Sequence, residues 1–278
     1  MKNLNVGVIG NGFVGEAQAF AFSPITNIKI YDIDPHRRNS TLNEVHNCDI
    51  VFICVPTPMK SNGKQDLSYI TDAFKKANSK PIYIIKSTVL PGTTKKLCEA
   101  NPKIKIIFSP EFLTERTAKI DMLTQSRIVL GGKRKFTDKV SILYNLRFKN
   151  KNIIKTDSVT AELIKYMNNT FFATKVSIMN EFKLISDKIG ADWDDALNGF
   201  ASDGRVGDSH LNVPGHDGRL GYGGTCFPKD VNAFLNFARE YGINLNSIEG
   251  GWKTNLLVRP EKDWEKQIGR AVSKEKKN

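Results

Sequence analysis

The chain has 278 residues, of which 40% are hydrophobic and 25% charged, a composition typical of a globular protein with one large domain or two modest ones. No apolar run approaches the roughly 20 residues of a membrane-spanning helix, and the N-terminus enters a strand pattern at once, which leaves no room for a signal peptide. The net charge of +12 comes from scattered lysines and arginines, so it does not by itself indicate nucleic-acid binding, and we predict a cytoplasmic location.

Short apolar runs alternate with amphipathic stretches through the first half of the chain. Six runs are predicted to be buried strands: NVGVIG, IKIYD, DIVFICV, PIYIIKS, IKIIFS and RIVLGG. Two of the intervening segments, DLSYITDAFKKAN and GTTKKLCEAN, are predicted helices. This alternation predicts an α/β fold, a Rossmann-like doubly wound parallel sheet, over residues 1–155.

The first predicted strand is followed by GNGFVG, a glycine pattern that opens a helix. Its glycines allow a tight turn and the close approach of a pyrophosphate to the helix N-terminus. Asp32 ends the next strand, at the position where a carboxylate that binds ribose hydroxyls is expected. That carboxylate would repel a 2′-phosphate and favours NAD over NADP, although Arg37 and Arg38 nearby weaken this preference. The predicted NAD site includes Gly10, Gly12, Phe13, Val14, Gly15, Asp32 and Arg37.

Polar residues follow three later strands, where ligands bind in open α/β sheets. Thr57 in VPTP and Thr88 in KSTVLPGT have hydroxyls that could contact a cofactor or hold a water, but ordinary turn chemistry explains both equally well. Glu111 and Glu115 in SPEFLTERTA would share one face of a helical turn and could serve one site. A solvated acidic face is the alternative for this pair.

From about residue 156, the apolar residues recur with helical periodicity as far as Gly190, and Asp157 or Ser158 is expected to cap this helix. Such a long helix usually forms a domain core or a dimer interface. Lys165 and Asn169 share one face of it and could polarise a substrate oxygen. The other interpretation, which the residues alone favour, is that Lys165 extends to the surface.

The rest of the chain is predicted to be helical around one long loop. DWDDALNGFA and PKDVNAFLNFAREYG are predicted helices, and the glycine-rich residues 203–225 between them form a loop of a length that is more often functional than idle. Residues 156–250 are therefore predicted to be a helical central and dimerisation domain that carries this loop. Residues 251–278 are predicted to form a C-terminal tail.

The four cysteines show no CxxC spacing, so neither a disulfide framework nor a metal site is expected. Cys48 and Cys54 adjoin an apolar run and should be buried. Cys226, in GYGGTCFPKD, differs from them. A thiolate there could add to an aldehyde, the adduct could lose a second hydride, and water could cleave the resulting thioester. Asp230 could orient the water, and Lys229 could contact a phosphate or the cofactor.

In chain order, GNGFVG, Asp32, KST, SPEFLTE, LIKYMNN, the glycine-rich loop and GGTCFPKD resemble the UDP-glucose/GDP-mannose dehydrogenases, which are nucleotide-sugar 6-dehydrogenases. The resemblance is specific, because dehydrogenases at large do not share the cysteine motif or the SPEF segment. It implies oxidation of the C6 hydroxymethyl group of a nucleotide sugar to a carboxylate, with two NAD per turnover. The family's usual chain continues into a C-terminal UDP-binding domain, and this sequence resembles a short form that lacks it.

The resemblance also implies catalytic roles for individual residues. Cys226 would be the nucleophile, Lys165 would stabilise oxyanions and Asn169 would position the sugar. Asp230 would help to activate water or the thiol. Glu111 would act in base or water chemistry.

Further implied residues hold the cofactor, the substrate or the second subunit. Thr88 would lie near the catalytic water and near NAD. The other implied cofactor contacts are Thr57, Glu115 and Lys229. The implied substrate contacts are Glu111, Phe112, Leu113, Thr114, Glu115, Lys165, Asn169, Arg205, Tyr222 and Gly223. Arg205 matches an arginine that in the family can reach the neighbouring subunit's substrate, which favours a homodimer built on the long helix.

We therefore predict an NAD-dependent nucleotide-sugar 6-dehydrogenase that acts on UDP-glucose, with GDP-mannose as the second choice. One alternative is a non-catalytic or partner-dependent protein that binds NAD or a nucleotide sugar. Another is a two-electron dehydrogenase of the 3-hydroxyacid type, in which Cys226 would be dispensable. The expected partners are the sugar substrate and a second copy of the chain, with no nucleic acid and no membrane.

Overall fold

The computed structural model describes residues 4–274, and the chain divides into two compact units. The first unit comprises the chain up to Thr57 together with Asp66–Lys165, and the second comprises Pro58–Gln65 and the chain from Tyr166 onward. This division falls later than the boundary predicted at 155/156 and assigns one short internal segment to the second unit. The predicted domain limits of 1–155, 156–250 and 251–278 remain predictions.

The first unit is built on a seven-stranded sheet. The strands are Asn5–Ile9 (β1), Asn27–Tyr31 (β2), Ile50–Ile53 (β3), Ile82–Ile85 (β4), Lys105–Phe108 (β5), Arg127–Gly131 (β6) and Asn152–Thr156 (β7). Their order is β2-β1-β3-β4-β5-β6-β7. All neighbours run parallel except β5 and β6, which meet antiparallel at one residue pair, Phe108 and Gly131. The doubly wound, mostly parallel sheet is confirmed.

All six predicted strands are present, and the apolar runs of the inner strands are buried on both faces of the sheet. The prediction that IKIYD is buried is wrong, because β2 lies at the edge of the sheet and is only partly buried. Side chains alternate along the strands between two apolar clusters. Phe52 and Ile84 belong to one cluster, and Val51 and Ile85 to the other, all fully buried. The seventh strand was not predicted, since β7 is only partly buried and ends in the polar pair Lys155–Thr156.

Helices cover both faces of this sheet. They are Phe13–Phe22 (α1), Leu42–His46 (α2), Ser68–Phe74 (α3), Thr93–Ala100 (α4), Ala118–Thr124 (α5) and Arg134–Arg147 (α6), with 3₁₀ turns at Pro35–Arg37 and Glu115–Thr117. The predictions that became α3 and α4 are confirmed within a few residues. Because β1 pairs with β2 on one side and with β3 on the other, the chain reverses its winding at β1, which is where ligands bind in such sheets.

One long helix, Ser158–Ile189 (α7), follows the sheet. The Asp157 carboxylate caps its start by accepting a 3.0 Å hydrogen bond from the Thr160 N–H. It ends at Gly190, whose φ of +72° lies in the left-handed region that favours glycine. Both predicted ends of the helix are confirmed.

The second unit is helical around an irregular segment. Its further helices are Trp193–Ala201 (α8), Phe227–Glu240 (α9) and Asn246–Val258 (α10), with a 3₁₀ turn at Asp263–Lys266. Residues 203–225 are a loop, as predicted. The C-terminal segment packs against the unit, because Trp264 is buried and its ring lies 5.4 Å from that of Trp252. The predicted tail extends to residue 278, and residues 275–278 lie outside the described part of the chain.

Among the helices between residues 4 and 274, none is both long enough and apolar enough to cross a bilayer.

Candidate active site

The glycine turn after β1 has the geometry of a dinucleotide cradle. Gly10 has a φ of +88°, and a Cβ on Gly15 would lie 2.0 Å from the Gly10 carbonyl oxygen, so the turn and the helix can approach only without side chains. Gly12 caps α1, and nothing lies within 4 Å of where its Cβ would be. Phe13 and Val14 begin α1. The open space at the helix N-terminus suits a pyrophosphate.

Asp32 lies beside this turn, at the end of β2. Its two carboxylate oxygens accept hydrogen bonds from the N–H groups of Asn11, at 2.6 Å, and Asp34, at 2.9 Å. Carboxylate oxygens retain further lone pairs, which suit ribose hydroxyls. The Asn11 side-chain oxygen is buried without a hydrogen-bond partner among residues 4–274. Arg37 lies 3.4 Å from Glu16, so its charge is partly balanced. These residues fit NAD.

A matched pair of glycine substitutions separates cofactor binding from folding. Gly12→Ala should leave the melting temperature within about 2 °C of the parent, since its φ of −75° suits alanine, but should weaken NAD binding at least about 10-fold by filling the pyrophosphate space. Gly15→Ala should lower the free energy of unfolding by several kcal/mol, since its methyl group would overlap backbone. Calorimetry with NAD and thermal melting test both. Equal NAD affinity in Gly12→Ala and the parent would contradict the assignment.

Thr57 and Thr88 join the loops that follow β3 and β4. Both are buried, and the Thr57 hydroxyl donates a 2.8 Å hydrogen bond to the Thr88 carbonyl oxygen. The Thr57 hydroxyl therefore has the structural role that turn chemistry suggests. Cofactor contacts of both threonines remain predictions.

The segment after β5 differs from its prediction as a helical turn. Residues 110–114 are irregular, and a 3₁₀ turn begins only at Glu115, so Glu111 and Glu115 do not share a helical face. Side chains occupy the amides that a helix would need: the Glu111 carboxylate accepts from the Leu113 N–H at 2.7 Å, and Asp121 accepts from the Thr114 N–H at 2.7 Å. As a result Glu111 is buried and Glu115 is exposed. The implied contacts of Glu115 with the cofactor and the substrate remain predictions.

Contacts within the first unit already engage the ring of Phe112 and the backbone N–H groups of Leu113 and Thr114. Phe112 packs under cations, with the Arg127 guanidinium 4.1 Å and the Lys165 ammonium 5.5 Å from its ring centre. The N–H groups of Leu113 and Thr114 already donate to carboxylates. Their predicted part in lining the sugar site is untested.

Glu111 and Lys165 form a buried ion pair. The Lys165 ammonium lies 3.0 Å from a carboxylate oxygen of Glu111 and 2.7 Å from its carbonyl oxygen, and the two side chains are 4% and 7% exposed. The interpretation that Lys165 extends to the surface is therefore wrong. Burial raises the pKa of Glu111, but the Lys165 ammonium and the Leu113 N–H together lower it by more. The pKa of Glu111 therefore lies below its ordinary value. Glu111 is an ionised carboxylate.

Glu162, one turn before Lys165 on α7, is a buried residue whose contact the sequence did not indicate. Its carboxylate accepts hydrogen bonds from the N–H groups of Gly92, at 2.6 Å, and Thr94, at 2.8 Å. Gly92 has no side chain to cap α4, so Glu162 supplies the cap from another helix. Burial raises the pKa of Glu162 to about 7.

This raised pKa predicts a pH dependence of stability. Between about pH 4.5 and pH 7 the folded chain keeps a proton on Glu162 that the unfolded chain has released, so the stability from this group falls as the pH rises through that window. The parent should lose about 2–3 kcal/mol more than Glu162→Gln over this range. Urea denaturation at several pH values measures the difference. Parallel profiles for the two proteins would disprove it.

Cys226 lies at the N-cap of α9 in the second unit. Its carbonyl oxygen accepts the 3.0 Å hydrogen bond of the Asp230 N–H, which starts the helix, and the Thr225 hydroxyl lies 3.7 Å from its sulfur. The partial positive charge of a helix N-terminus favours negative charge at this position. Burial raises the pKa of the Cys48 and Cys54 thiols to about 11 and about 12, which keeps them protonated and unreactive.

Lys229 and Asp230, which follow Cys226 on α9, are joined by hydrogen bonds to Asn169 of α7, and all three side chains are buried. The Asp230 carboxylate is 1% exposed and accepts from the Asn169 amide at 2.7 Å and from the Lys229 ammonium at 2.5 Å. Asp230 thereby fixes which way the Asn169 amide points. The structure brings these three together, while the contact of Lys229 with the cofactor remains a prediction.

The loop before Cys226 is hydrogen-bonded to α10. The sequence did not indicate this contact. Asn255 is fully buried and exchanges two hydrogen bonds with the backbone of Tyr222, at 2.7 and 3.0 Å. Arg259 pairs with Asp217 and Asp263, both at 2.6 Å. A Cβ on Gly223 would lie 2.4 Å from an Asp263 oxygen, so this position requires glycine. The predicted substrate residues Tyr222 and Gly223 are thus rigidly placed.

Arg205 lies at the other end of the same loop. Its side chain is 90% exposed and pairs with Asp203 at 2.5 Å. Lys175 fastens the neighbouring backbone by donating to the carbonyl oxygens of Val206, Gly207 and Ser209 at 2.7–3.3 Å. The predicted reach of Arg205 to a second subunit is untested. Between residues 4 and 274, no three His, Cys, Asp or Glu side chains are grouped to hold a metal ion.

Comparison with known families matches both units. The model of the UDP-glucose/GDP-mannose dehydrogenase family, NAD binding domain, matches residues 36–146, and that of the same family's central domain matches residues 159–256. Together these matches cover most of the chain.

Individual relatives agree with the family models. The UDP-glucose 6-dehydrogenase YwqF of Bacillus subtilis is 33% identical over 296 residues, which cover 91% of this chain and 66% of that protein. The UDP-glucose 6-dehydrogenase of Rickettsia conorii is 35% identical over 221 residues, or 77% of this chain and 50% of that protein. The chain therefore spans about half the length of the Rickettsia relatives it matches.

Solved structures show the same architecture. A UDP-glucose dehydrogenase from Pyrobaculum islandicum superimposes with a TM-score of 0.83 at 26% identity, covering 92% of this chain and 69% of that one. A 3-hydroxyisobutyrate dehydrogenase from Mycobacterium tuberculosis superimposes with a TM-score of 0.73 at 12% identity, covering 93% and 94%. The second likeness shows the fold alone.

Proposed function

Because this chain belongs to the UDP-glucose/GDP-mannose dehydrogenase family, we propose that it oxidises the C6 alcohol of a nucleotide sugar to the carboxylate in two steps through Cys226. The observation that carries the proposal is Cys226 at the N-terminus of α9, followed by the buried Asp230 that accepts from Asn169 and Lys229. A simple alcohol dehydrogenase needs no thiol at such a position. An enzyme that must also oxidise the aldehyde does.

The residues divide the chemistry between them. Bound NAD, held at the glycine turn and Asp32, supplies the hydride acceptor for each oxidation. Glu111, an ionised carboxylate, takes up the proton of the C6 hydroxyl through a water beside Thr88. In this scheme the alcohol carbon loses a hydride and becomes an aldehyde.

The second oxidation uses the thiolate. The Cys226 sulfur adds to the aldehyde carbon, and the ammonium of Lys165 and the amide of Asn169 hold the resulting oxyanion. Loss of a second hydride gives a thioester. Water, oriented by Asp230, adds to the thioester carbon and releases the carboxylate and the Cys226 thiol. The sum is one alcohol and one water converted to a carboxylate, with two hydrides and three protons released.

The sugar nucleotide is proposed from relatives. Several are named UDP-glucose 6-dehydrogenase, which favours UDP-glucose, and GDP-mannose is the second choice. NADH formed per sugar consumed, measured with UDP-glucose, GDP-mannose and UDP-N-acetyl sugars, tests the proposal. We expect two NADH per sugar. One NADH would support a two-electron dehydrogenase, and binding of NAD and sugar without NADH would support a non-catalytic protein.

A homodimer built on α7 is part of this proposal. Large apolar side chains recur every four residues along one side of the helix and are exposed: Val159, Leu163, Met167 and Phe171. A second copy of the same stripe would cover this surface. Replacing Met167 and Phe171 by glutamate should give a monomer in light scattering, with little change in melting temperature. A dimer that persists in this variant would exclude α7 as the interface.

A cytoplasmic location also belongs to the proposal. None of the four cysteines, all of which lie within residues 4–274, forms a disulfide bond, which suits a reducing compartment. The absence of a nucleic-acid partner remains a prediction, because it rests only on the scattered distribution of the positive charge.

A further inference from the structure

Lys86 is a buried lysine in the first unit that none of the proposed steps uses. It follows β4 directly, in the KST segment, and is 4% exposed. Taking an ammonium group out of water is costly, and a methionine could fill a similar volume without that cost. A buried lysine in this position therefore needs an explanation beyond packing.

The ammonium of Lys86 connects two loops at the same edge of the sheet. It donates hydrogen bonds to the Ser109 hydroxyl, at 3.3 Å, and to the Pro110 carbonyl oxygen, at 3.1 Å. Both acceptors lie between the end of β5 and Glu111. Lys86 thus holds the backbone from which the Glu111 side chain extends.

The charges around Lys86 also point to Glu111. The titratable groups that face it are the Cys54 thiol after β3, the Glu111 carboxylate after β5 and the Lys165 ammonium on α7, and the Tyr144 hydroxyl of α6 lies beside Ser109. The buried Glu111 carboxylate is therefore affected by two ammonium groups, Lys165 in direct contact and Lys86 through its charge. Burial lowers the pKa of Lys86 to about 8, and its positive charge in turn helps to lower the pKa of Glu111.

We propose that Lys86 is a positioning residue for Glu111: its hydrogen bonds fix the Ser109–Pro110 backbone, and its charge keeps the Glu111 carboxylate ionised for proton transfer. The inference rests on the proposed function, since it assigns a role within that reaction. Lys86 acts through Glu111 and not on the substrate. Neutralising Lys86 should therefore change the pH profile more than the affinity for NAD.

The catalytic test compares Lys86→Met with Lys105→Met. Lys105 is a matched control, because its ammonium also donates to a backbone carbonyl, that of Lys80 at 2.7 Å, but at the surface. In Lys86→Met we expect kcat to fall about 10- to 100-fold and its acid limb to move up by about one pH unit, with KM for NAD within about 3-fold. Ethylammonium should restore part of the activity of Lys86→Ala. An unchanged pH profile, with or without a loss of rate, would overturn the proposal.

A second measurement does not depend on turnover. In ¹³C NMR titrations, the Glu111 carboxyl should titrate about one pH unit higher in Lys86→Met than in the parent or in Lys105→Met. If Lys86→Met fails to fold, the reciprocal experiment uses Glu111→Gln, in which the amine of Lys86 should titrate at lower pH than in the parent. Absence of NADH formation together with these shifts would reject the proposed function but keep the role of Lys86. Absence of the shifts would reject the role itself.

Discussion

Replacing Cys226 by serine is expected to lower the rate of carboxylate formation by at least about 10³-fold. A neutral serine hydroxyl is a much weaker nucleophile than a thiolate, so it adds to the aldehyde far more slowly. The variant should stop after one oxidation, with at most one NADH per sugar. Stopped-flow absorbance at the NADH band, with mass spectrometry of the sugar, measures both the rate and the stage reached.

A matched variant distinguishes the thiol's chemistry from general damage. Cys98 is partly buried in the first unit, and its thiol bonds weakly to the Ile106 carbonyl oxygen. Cys98→Ser should keep two NADH per sugar and a rate within about 3-fold of the parent. If Cys226→Ser also released two NADH per sugar at the parent rate, the covalent route would be excluded and a route without a thiol would have to replace it.

Replacing Lys165 by methionine is expected to lower both the stability of the fold and the turnover rate. It leaves the Glu111 carboxylate buried without its ion-pair partner, which typically costs about 3–5 kcal/mol. Turnover should fall by about 10²- to 10³-fold, because the oxyanion loses a charged donor. Urea denaturation and steady-state kinetics on the same preparation measure the two effects.

Two further variants separate stability from catalysis. Lys165→Met combined with Glu111→Gln should recover part of the lost stability, since the buried carboxylate is removed and only the Lys86 ammonium stays buried, but none of the activity. Lys183 pairs with Asp187 on the same helix at the surface, so Lys183→Met should cost less than about 1 kcal/mol. A double variant that is no more stable than Lys165→Met alone would mean that the pair is not the source of the loss.

Features that depend on neighbours in the chain were predictable. The strands follow from apolar runs, and the glycine turn with Asp32 follows from fixed spacing. Both ends of α7 follow from a capping carboxylate and a glycine with positive φ. In each case the residues that decide the structure lie within a few positions of each other, or repeat at a fixed interval.

Features that depend on distant partners were not predictable. Lys165 was expected at the surface because nothing near it in sequence shows that Glu111, 54 residues earlier, is its partner. Glu162 caps a helix 68 residues earlier in the chain. The helical turn predicted at Glu111 fails for the same reason, since Asp121 takes one of the amides that the turn would use. Burial and pairing of charges are properties of the fold, and a single sequence does not reveal them.

The two hydrogen bonds between the Asn255 side chain and the Tyr222 backbone limit how the cysteine loop could be transplanted into another protein. The segment GYGGTCFPKD looks self-contained in sequence, but its backbone is shaped by α10, which begins only at Asn246, and by Arg259 and Asp263 beyond it. A transplanted loop without that helix would keep the thiol and lose its orientation. The smallest portable unit that preserves this arrangement is therefore the loop together with α9, α10, the turn at Trp264 and the part of α7 that carries Asn169, the partner of Asp230.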